Sequence, residues 1–412
     1  MSATAVYIAG VGMTPFGDFR TSSLAQLARP AIEAALKDAG IESSELQVAY
    51  MGNAAGAVIC GQTCIPGQVV LRSMGIGRIP VINIENACAT SATALQQAYS
   101  LMSRGAYDIA LVCGYEKLYH DDKLRTFSVF SGAIDVAAED EIIDGLIARN
   151  SAIDHPLDTE GAGKTRSLFI DIYATWAREH MYRYGTTREQ IAAVSAKNST
   201  HGALNPLSQF KNTLSIDDVL SAKSIVDPLT LPMCAPIGDG AAALVLVSER
   251  VRRRLDSSRC VRVLDSTLTS GWDVAEGETP IVEQAATEIY NTTGVDPQDL
   301  SCIELHDASA ISEICYYEYL GLCGYGQGGE LVESGATSLG GRIPVNTSGG
   351  LMRKGHPIGA TGAAQLVELT MQLRGEAGDR QVRNAKLALA ENGGGYLGKD
   401  VAALVLTILS KD

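Results

Sequence analysis

Two hydrophobic patterns alternate along the chain. The stretch 89–105, ATSATALQQAYSLMSRG, places its apolar residues at the spacing of one helix face: Leu95, Ala98, Tyr99 and Met102. Other runs are almost entirely apolar over their whole length, namely 108–113, 239–246, 386–390 and 399–406. Such runs are typical of strands buried on both faces of a sheet. The alternation therefore predicts an α/β fold in which helices cover a sheet on both sides.

The chain also repeats part of itself. The word GRIPV occurs at Gly77–Val81 and again, unchanged, at Gly341–Val345. A predicted helix follows each copy, at 89–105 and at 360–375, and both helices are predicted to end at an Arg-Gly pair. A second word, AALVL, then recurs within two of the apolar runs. Shared words in the same order predict two similar α/β halves.

The two halves differ in length, and the difference predicts an inserted domain. The excess of the first half lies at 117–225 and has no counterpart in the second. The predicted division is 1–116 with 226–255 for the N-terminal half, 117–225 for an inserted loop domain, and 256–412 for the C-terminal half. Inside the insertion, 167–184 and 187–199 show helical spacing, whereas the poorly periodic region 132–165 predicts a surface excursion or lid.

The halves differ most in the links between GRIPV and the following helix. The first link, INIENAC, ends in Cys88, and the second, NTSGGLMRKGHPIG, contains His356. Because related halves bring equivalent helix N-termini together, we expect these two residues at one centre. A helix N-terminus stabilises a thiolate, and a nearby histidine accepts the thiol proton or pairs with the thiolate. The pattern therefore predicts a nucleophilic cysteine.

The motifs around these residues resemble those of the thiolase superfamily. The matching blocks stand in the family order: NACATS at 86–91, DGAAA at 239–243, and NTSGG at 346–350 leading into GHPIGATG at 355–362. The resemblance implies the thiolase fold, with two βαβαβαββ halves in a five-layered αβαβα core and an added loop domain. It also implies an acyl-CoA acyltransferase that uses coenzyme A as a substrate and needs no permanently bound cofactor.

A further block, ELHDAS at 304–309, is similar to the His-Asp loop of thiolases related to sterol carrier protein 2. By that resemblance His306 helps to hold a water or the thioester oxygen in one oxyanion hole. A second hole is implied between the backbone N–H groups of Cys88 and Gly393.

The resemblance breaks at the second cysteine, which other thiolases use as acid/base for the carbanion. Biosynthetic and degradative thiolases carry it in a Cys-x-Gly loop, where Glu391 stands here. The sterol-carrier type can carry it in the His-Asp loop, where Ala308 stands. Glu391, with a pKa raised by burial, is one candidate replacement; His306 or a substrate group is the alternative.

Three functions remain open at this point. The leading prediction is a thiolase that cleaves a bulky or unusual 3-oxoacyl-CoA with CoA through an acyl-Cys88 intermediate. The first alternative is a carbon acyltransferase that passes the acyl group to a non-CoA acceptor, such as an activated aromatic ring. The second is an acyl-CoA-binding subunit of a larger complex. The resemblance further implies CoA contacts within 117–225, a homodimer or larger assembly, and a small zinc-ribbon and oligonucleotide-fold protein as a partner.

The composition of the chain limits the classes of partner that it is expected to bind. The formal net charge of −14 disfavours nucleic acid, whose phosphates require a surplus of Lys and Arg. The first residues show no signal-peptide pattern and the chain has no long apolar run, so we predict a cytoplasmic protein without membrane contact. Cys60 and Cys64 form a CxxxC pair with no second pair nearby, so no metal site is predicted.

Overall fold

The computed structural model describes residues 4–273 and 277–411. The first eight elements are β1 (Val6–Met13), α1 (Leu24–Ala39), β2 (Val48–Gly52), α2 (Gly56–Cys60), α3 (Pro66–Ser73), β3 (Val81–Ile84), α4 (Thr90–Met102) and β4 (Ile109–Glu116). Next come α5 (Lys123–Ser131), α6 (Glu139–Ser151), α7 (Leu168–Tyr184), α8 (Arg188–Ala203), α9 (Ile216–Ser221), β5 (Ser224–Val226) and β6 (Leu229–Thr230). The remaining elements are β7 (Gly240–Ser248), α10 (Glu249–Arg252), β8 (Val261–Thr269), α11 (Ile281–Thr293), β9 (Cys302–Glu304), α12 (Ala310–Tyr319), α13 (Gly328–Glu333), α14 (Gly350–Lys354), α15 (Thr361–Arg374), β10 (Leu387–Leu397) and β11 (Asp400–Ser410).

Nine strands form one sheet in the order β3-β2-β4-β7-β1-β8-β11-β10-β9. The order contains the same arrangement twice, in mirror image. The first strand of each half, β1 or β8, lies at the centre, and the strand that carries the AALVL word, β7 or β11, lies beside it. β1 and β8 pair antiparallel, with Tyr7 opposite Arg262. The predicted α/β fold with two related halves is thus confirmed.

Helices cover both faces of the sheet and create five layers. Side chains alternate in β1: Val6 and Ile8 face a central cluster, whereas Tyr7 and Ala9 face an outer one. α4 and α15 fill the central layer between the two halves of the sheet. α1 and α3 cover the outer face of the first half, and α11 and α12 cover that of the second. This is the αβαβα order that the family resemblance implies.

The two central helices start side by side. α4 begins at Thr90 and α15 begins at Thr361, each directly after a short 3-10 turn. The Ser91 hydroxyl accepts a hydrogen bond from the backbone N–H of Ala363 at 2.9 Å. Gly362 must lack a side chain, because a Cβ there would lie 2.6 Å from the backbone of α4. The N-termini of equivalent helices therefore meet, as the repeat predicts.

The segment between β4 and β7 lies over the second half. The helices predicted at 167–184 and 187–199 are present as α7 and α8, and both pack against α12. The exact division into domains at 116/117, 225/226 and 255/256 stays a prediction. No helix in the described part of the chain is long and apolar enough to cross a bilayer.

The structure differs from the prediction or adds to it in local details. The third strand of the second half is reduced to one bridge between Ile303 and Val345, because Asn346 adopts φ 55° and turns the chain. α4 ends at Met102, before the predicted Arg-Gly end. The region 132–165, predicted as a surface excursion or lid, contains α6, whose acidic first turn favours a helix N-terminus; the lid stays a prediction.

Candidate active site

Cys88 lies in the tight turn between β3 and α4. The preceding Ala87 adopts φ 49°, a strained conformation for a residue with a Cβ. β10 supports the turn closely, since a Cβ on Gly394 would lie 2.4 Å from the carbonyl oxygen of Asn86. Cys88 faces a cavity of about 300 Å³ and is only partly buried. Local strain and close backbone packing thus present the thiol to an open space.

His356 reaches the same cavity from the turn before α15. Its Nδ1 lies 2.8 Å from the hydroxyl of Thr361, and that hydroxyl donates to the carbonyl oxygen of Pro357 at 3.2 Å. Since the hydroxyl has only one hydrogen to donate, Thr361 accepts from Nδ1–H. Nε2 then carries a lone pair. Burial, with His306 and Lys354 nearby, lowers the pKa of His356 well below 6.5, so the ring is neutral at pH 7.

His306 lies in the loop after β9, and its tautomer is the opposite of the His356 tautomer. The amide Nδ2 of Asn392 lies 2.9 Å from its Nδ1. An amide nitrogen only donates, so Nδ1 accepts and Nε2 carries the hydrogen. Burial lowers the pKa of His306 to about 3 and keeps the ring neutral. His306 Nε2 therefore carries a hydrogen that can be donated, whereas His356 Nε2 carries a lone pair.

The structure brings the three predicted residues together. The Cys88 sulfur and one ring nitrogen each of His306 and His356 lie within 4.8 Å of one another. The two rings meet edge to face, with centroids 5.1 Å apart and planes at 87°. In the described part of the chain, no other group of three His, Cys, Asp or Glu side chains is placed to share a metal ion.

The protonation state of Cys88 distinguishes a resting thiol from a thiolate–imidazolium pair. Burial, with Glu116 and Glu85 nearby, raises the pKa of the thiol to about 12, although the N–H of Gly395 favours the thiolate. A thiol next to neutral imidazoles is therefore the resting state, rather than a thiolate–imidazolium pair. The lone pair on His356 Nε2 is available to accept the thiol proton.

Glu391 lies behind the cavity wall, next to Gly393. One carboxyl oxygen, Oε2, accepts the backbone N–H of His306 at 2.9 Å. The other, Oε1, is buried without a hydrogen-bond partner among the described residues. Burial raises the pKa of Glu391 to about 8, so the side chain is mostly protonated at pH 7. Gly393 itself lines the cavity.

Glu116 connects the two halves beneath the site. It ends β4, and its Oε2 accepts the backbone N–H groups of Ala54 at 3.1 Å and of Gly359 at 3.0 Å. Gly359 lies three residues after His356. Burial raises the pKa of Glu116 to about 7. This carboxyl group thereby fixes the turn of His356 against the half that carries Cys88.

Sequence reasoning missed several residues of the site. Thr361 and Asn392 each stand within or beside a quoted motif, so their positions were a usable signal. Cys234 also lines the cavity. The backbone N–H of the following residue, Ala235, donates to the carbonyl oxygen of Ala308 at 2.9 Å. A second sulfur thus lies beside the position where the sterol-carrier type can place its cysteine. No motif around Cys234 indicated this, because the contact depends on tertiary packing.

Family models match nearly the whole chain. The thiolase N-terminal domain matches residues 6–250, and the thiolase C-terminal domain-like family matches residues 270–407. The chain is a member of the thiolase family. It is accordingly an acyltransferase of the thiolase type, and the resemblance on the sequence motifs is confirmed.

Similar proteins agree with this assignment. Sterol carrier protein 2 of Oryctolagus cuniculus is 36% identical over 412 residues, which cover 97% of this chain and 71% of the relative. Benzoylsuccinyl-CoA thiolase subunit BbsB of Thauera aromatica is 34% identical over 385 residues, covering 92% of this chain and 91% of the relative. Among solved structures, the Ltp2-ChsH2(DUF35) aldolase superposes with a TM-score of 0.78 at 23% identity, covering 100% of this chain and 99% of that chain. At that identity the superposition concerns the fold alone.

Proposed function

We propose that this thiolase cleaves a bulky or unusual 3-oxoacyl-CoA with CoA through a thioester on Cys88. The observation that carries the proposal is the clustering of the Cys88 sulfur with His306 and His356 within 4.8 Å at a cavity of about 300 Å³. The two histidines have opposite tautomers. One therefore provides a general base and the other a hydrogen-bond donor, and acyl transfer to sulfur requires both.

The first half-reaction loads the cysteine. His356 Nε2 takes the thiol proton as the Cys88 sulfur attacks the C3 carbonyl of the substrate. The backbone N–H groups of Cys88 and Gly393 stabilise the oxyanion that develops on C3. When the oxyanion collapses, the C2–C3 bond breaks, and its electron pair leaves C2 as the enolate of acetyl-CoA. The His306 Nε2–H donates to the thioester oxygen of that enolate.

Two proton transfers close the cycle. Glu391, protonated at neutral pH, stands behind Gly393 and does not line the cavity, so its proton passes to C2 through a cavity water and releases acetyl-CoA. A second CoA thiol then returns a proton to the Glu391 carboxylate by the same route and attacks the acyl group on Cys88. The Cys88 thiolate leaves and recovers its proton from His356. Each group returns to its starting state, and the products are acetyl-CoA and an acyl-CoA shortened by two carbons.

One observation favours a second function, the carbon acyltransferase. A thiol stands at neither usual position of the second cysteine, where this chain has Ala308 and Glu391. An enzyme that transfers its acyl group to a nucleophilic carbon acceptor needs no carbanion chemistry on acetyl-CoA. Cys88, His356 and the oxyanion hole then keep their roles, and the acceptor carbon replaces the second CoA.

Product analysis separates these functions. The enzyme is incubated with a 3-oxoacyl-CoA, with and without free CoA, and the products are quantified by liquid chromatography and mass spectrometry. The proposal predicts equal amounts of acetyl-CoA and the shortened acyl-CoA, and only with free CoA. If free CoA has no effect and the acyl group transfers to an added activated aromatic acceptor, the carbon acyltransferase is correct. If neither occurs and acyl-CoA only binds, the chain acts as a binding subunit.

The proposed assembly is a homodimer or larger, with a small zinc-ribbon and oligonucleotide-fold partner and with CoA held by residues 117–225. β3 is an edge strand, and α3, which packs against it, exposes the apolar side chain of Val69. The relative from Thauera aromatica is named as a subunit. Light scattering of the purified chain tests the dimer, and co-purification from the native source tests the partner. The cytoplasmic location stays a prediction.

A further inference from the structure

The cavity above Cys88 has an aromatic wall. Three of the six phenylalanines of the chain and one of its two tryptophans line it. With the tyrosines, aromatic residues make up seven of the 28 lining residues, against 6% of the whole chain. Concentration of this kind at one cavity indicates the shape of a ligand, because most buried hydrophobic residues elsewhere in the described chain are aliphatic.

Most of these rings come from two helices. α7 presents Phe169, Tyr173 and Trp176 at positions i, i+4 and i+7, which lie on one helix face. α5 adds Phe127 and Phe130. The rings of Tyr173 and Trp176 meet edge to face, with centroids 5.6 Å apart and planes at 87°. All but Tyr173 keep part of their surface exposed, so ring faces remain available to a ligand.

Two hydroxyl groups in the wall have no hydrogen-bond partner among the residues that the structure describes. Tyr173 and Tyr316 line the cavity, and neither hydroxyl hydrogen-bonds to another described residue. Burial raises the pKa of both phenols, so they stay protonated and act as donors. Buried donors need partners, and here a ligand inside the cavity is placed to supply one.

The wall offers no free charge. Of the described lining residues, only Arg166 carries a permanent charge, and its guanidinium is held by the carboxylate of Asp171 at 2.7 and 3.0 Å. The side chain of Asp171 is fully buried, so the pair is fixed rather than available. The part of the substrate that fills this cavity is therefore uncharged.

Building on the proposed function, we infer that the substrates carry an uncharged aromatic or fused-ring group with a hydrogen-bond acceptor. The ring packs against the α7 face, and the acceptor meets the hydroxyl of Tyr173 or Tyr316. Thiolysis then forms the bond from the Cys88 sulfur to C3 and breaks C2–C3. The ring-bearing acyl group stays on sulfur, and the two-carbon enolate takes a proton to become acetyl-CoA. A linear chain fills the same space without the ring contacts.

A matched pair of substrates tests the inference. 3-Oxo-3-phenylpropanoyl-CoA and 3-oxononanoyl-CoA have the same number of acyl carbons, but only the first has a ring. We expect kcat/KM for the phenyl substrate to exceed that for the linear one by about tenfold, the size of one favourable aromatic contact. Trp176→Leu is expected to lower the ratio of the two values by about tenfold. Trp272→Leu is the control, because that tryptophan is 82% exposed and lies outside the cavity wall, and the ratio should stay unchanged.

Equal kcat/KM values for the two substrates would overturn the inference. So would an equal loss for both in Trp176→Leu, which would assign the aromatic wall to the pantetheine arm that all CoA substrates share. Failure of thiolysis with every substrate, including acetoacetyl-CoA, would instead contradict the proposed function.

A binding experiment keeps the two failures apart, because it does not require turnover. Cys88→Ala/Trp272→Phe cannot be acylated at Cys88 and leaves Trp176 as the sole tryptophan of the chain. Benzoyl-CoA and heptanoyl-CoA, with equal numbers of acyl carbons, are titrated while the tryptophan emission is followed. The inference predicts that benzoyl-CoA shifts the emission and binds about tenfold more tightly. Equal affinities, or tighter binding of heptanoyl-CoA, would contradict it.

Discussion

Asn392 donates a hydrogen bond through Nδ2 to Nδ1 of His306 over 2.9 Å, and this contact determines which ring nitrogen of His306 carries hydrogen. Both side chains are buried, so water does not compete for the contact. The result is an Nε2–H group that serves as a fixed donor in the site. Asn392 thus acts through His306, as a positioning residue.

Replacing Asn392 with aspartate should switch His306 to the other neutral tautomer. A carboxylate accepts from Nδ1–H, which leaves Nε2 with a lone pair facing the site. Loss of one oxyanion donor lowers kcat by about 10²–10³ in comparable enzymes, and KM should change little. Nitrogen-15 NMR of labelled His306 checks the tautomer directly. An unchanged tautomer together with an unchanged kcat would show that Asn392 does not position the ring.

Thr361 has the corresponding role for His356. Thr361→Val removes the acceptor for Nδ1–H at nearly constant volume, so the ring loses its orientation as a base. We expect kcat to fall by about 10–100-fold, within the range that a positioned general base contributes. Thr370→Val is the control on the same helix, because the Thr370 hydroxyl is buried without a partner among the described residues. Equal losses in both variants would indicate a packing effect.

Glu391 should make stability depend on pH. Burial raises its pKa from 4.5 to about 8, so the folded state binds this proton more tightly than the unfolded state does. The stabilising contribution is complete below about pH 4.5 and is lost as the pH rises towards 8, by at most about 1.4 kcal/mol per pH unit.

Glu391→Gln cannot ionise and should lack this slope. Urea unfolding at several values between pH 5 and pH 8 gives the difference between variant and wild type. That difference cancels the slope that Glu116, with its pKa of about 7, gives to both proteins. The variant should gain relative stability as the pH rises, and a difference independent of pH would contradict the raised pKa.

The same variant separates the two half-reactions. Glu391→Gln should still accept an acyl group from acyl-CoA onto Cys88, with a smaller loss of rate, because the CoA thiolate that leaves is a much more stable anion than the enolate and depends less on a proton donor. Cleavage of a 3-oxoacyl-CoA should slow by about 10²–10⁴, the range for loss of a general acid. Cys234→Ala is the comparison, since Cys234 also lines the cavity and its thiol lies 3.7 Å from the Thr230 carbonyl oxygen. A larger loss of cleavage in Cys234→Ala would make Cys234 the proton donor.

The sequence predicted the parts of this molecule that repetition and short motifs encode. GRIPV and AALVL placed equivalent strands and helices, and the unequal links between them placed Cys88 and His356 at one centre. The hydrogen-bond partners of the two histidines were missed, because the packing of the two halves determines which side chains come within 3 Å of each ring. The aromatic wall was missed for a different reason. α7 was predicted, but it is apolar on several sides, so its spacing alone did not indicate that Phe169 and Trp176 face the cavity.

The covalent role of Cys88 is the central claim, and intact mass spectrometry tests it most directly. The protein is incubated with a panel of acyl-CoA thioesters, beside Cys88→Ala and beside Cys260→Ala, which removes a buried cysteine outside the cavity wall. The account predicts a mass gain equal to one acyl group in the wild type and in Cys260→Ala, none in Cys88→Ala, and reversal on addition of free CoA. An acyl adduct that persists in Cys88→Ala would contradict it.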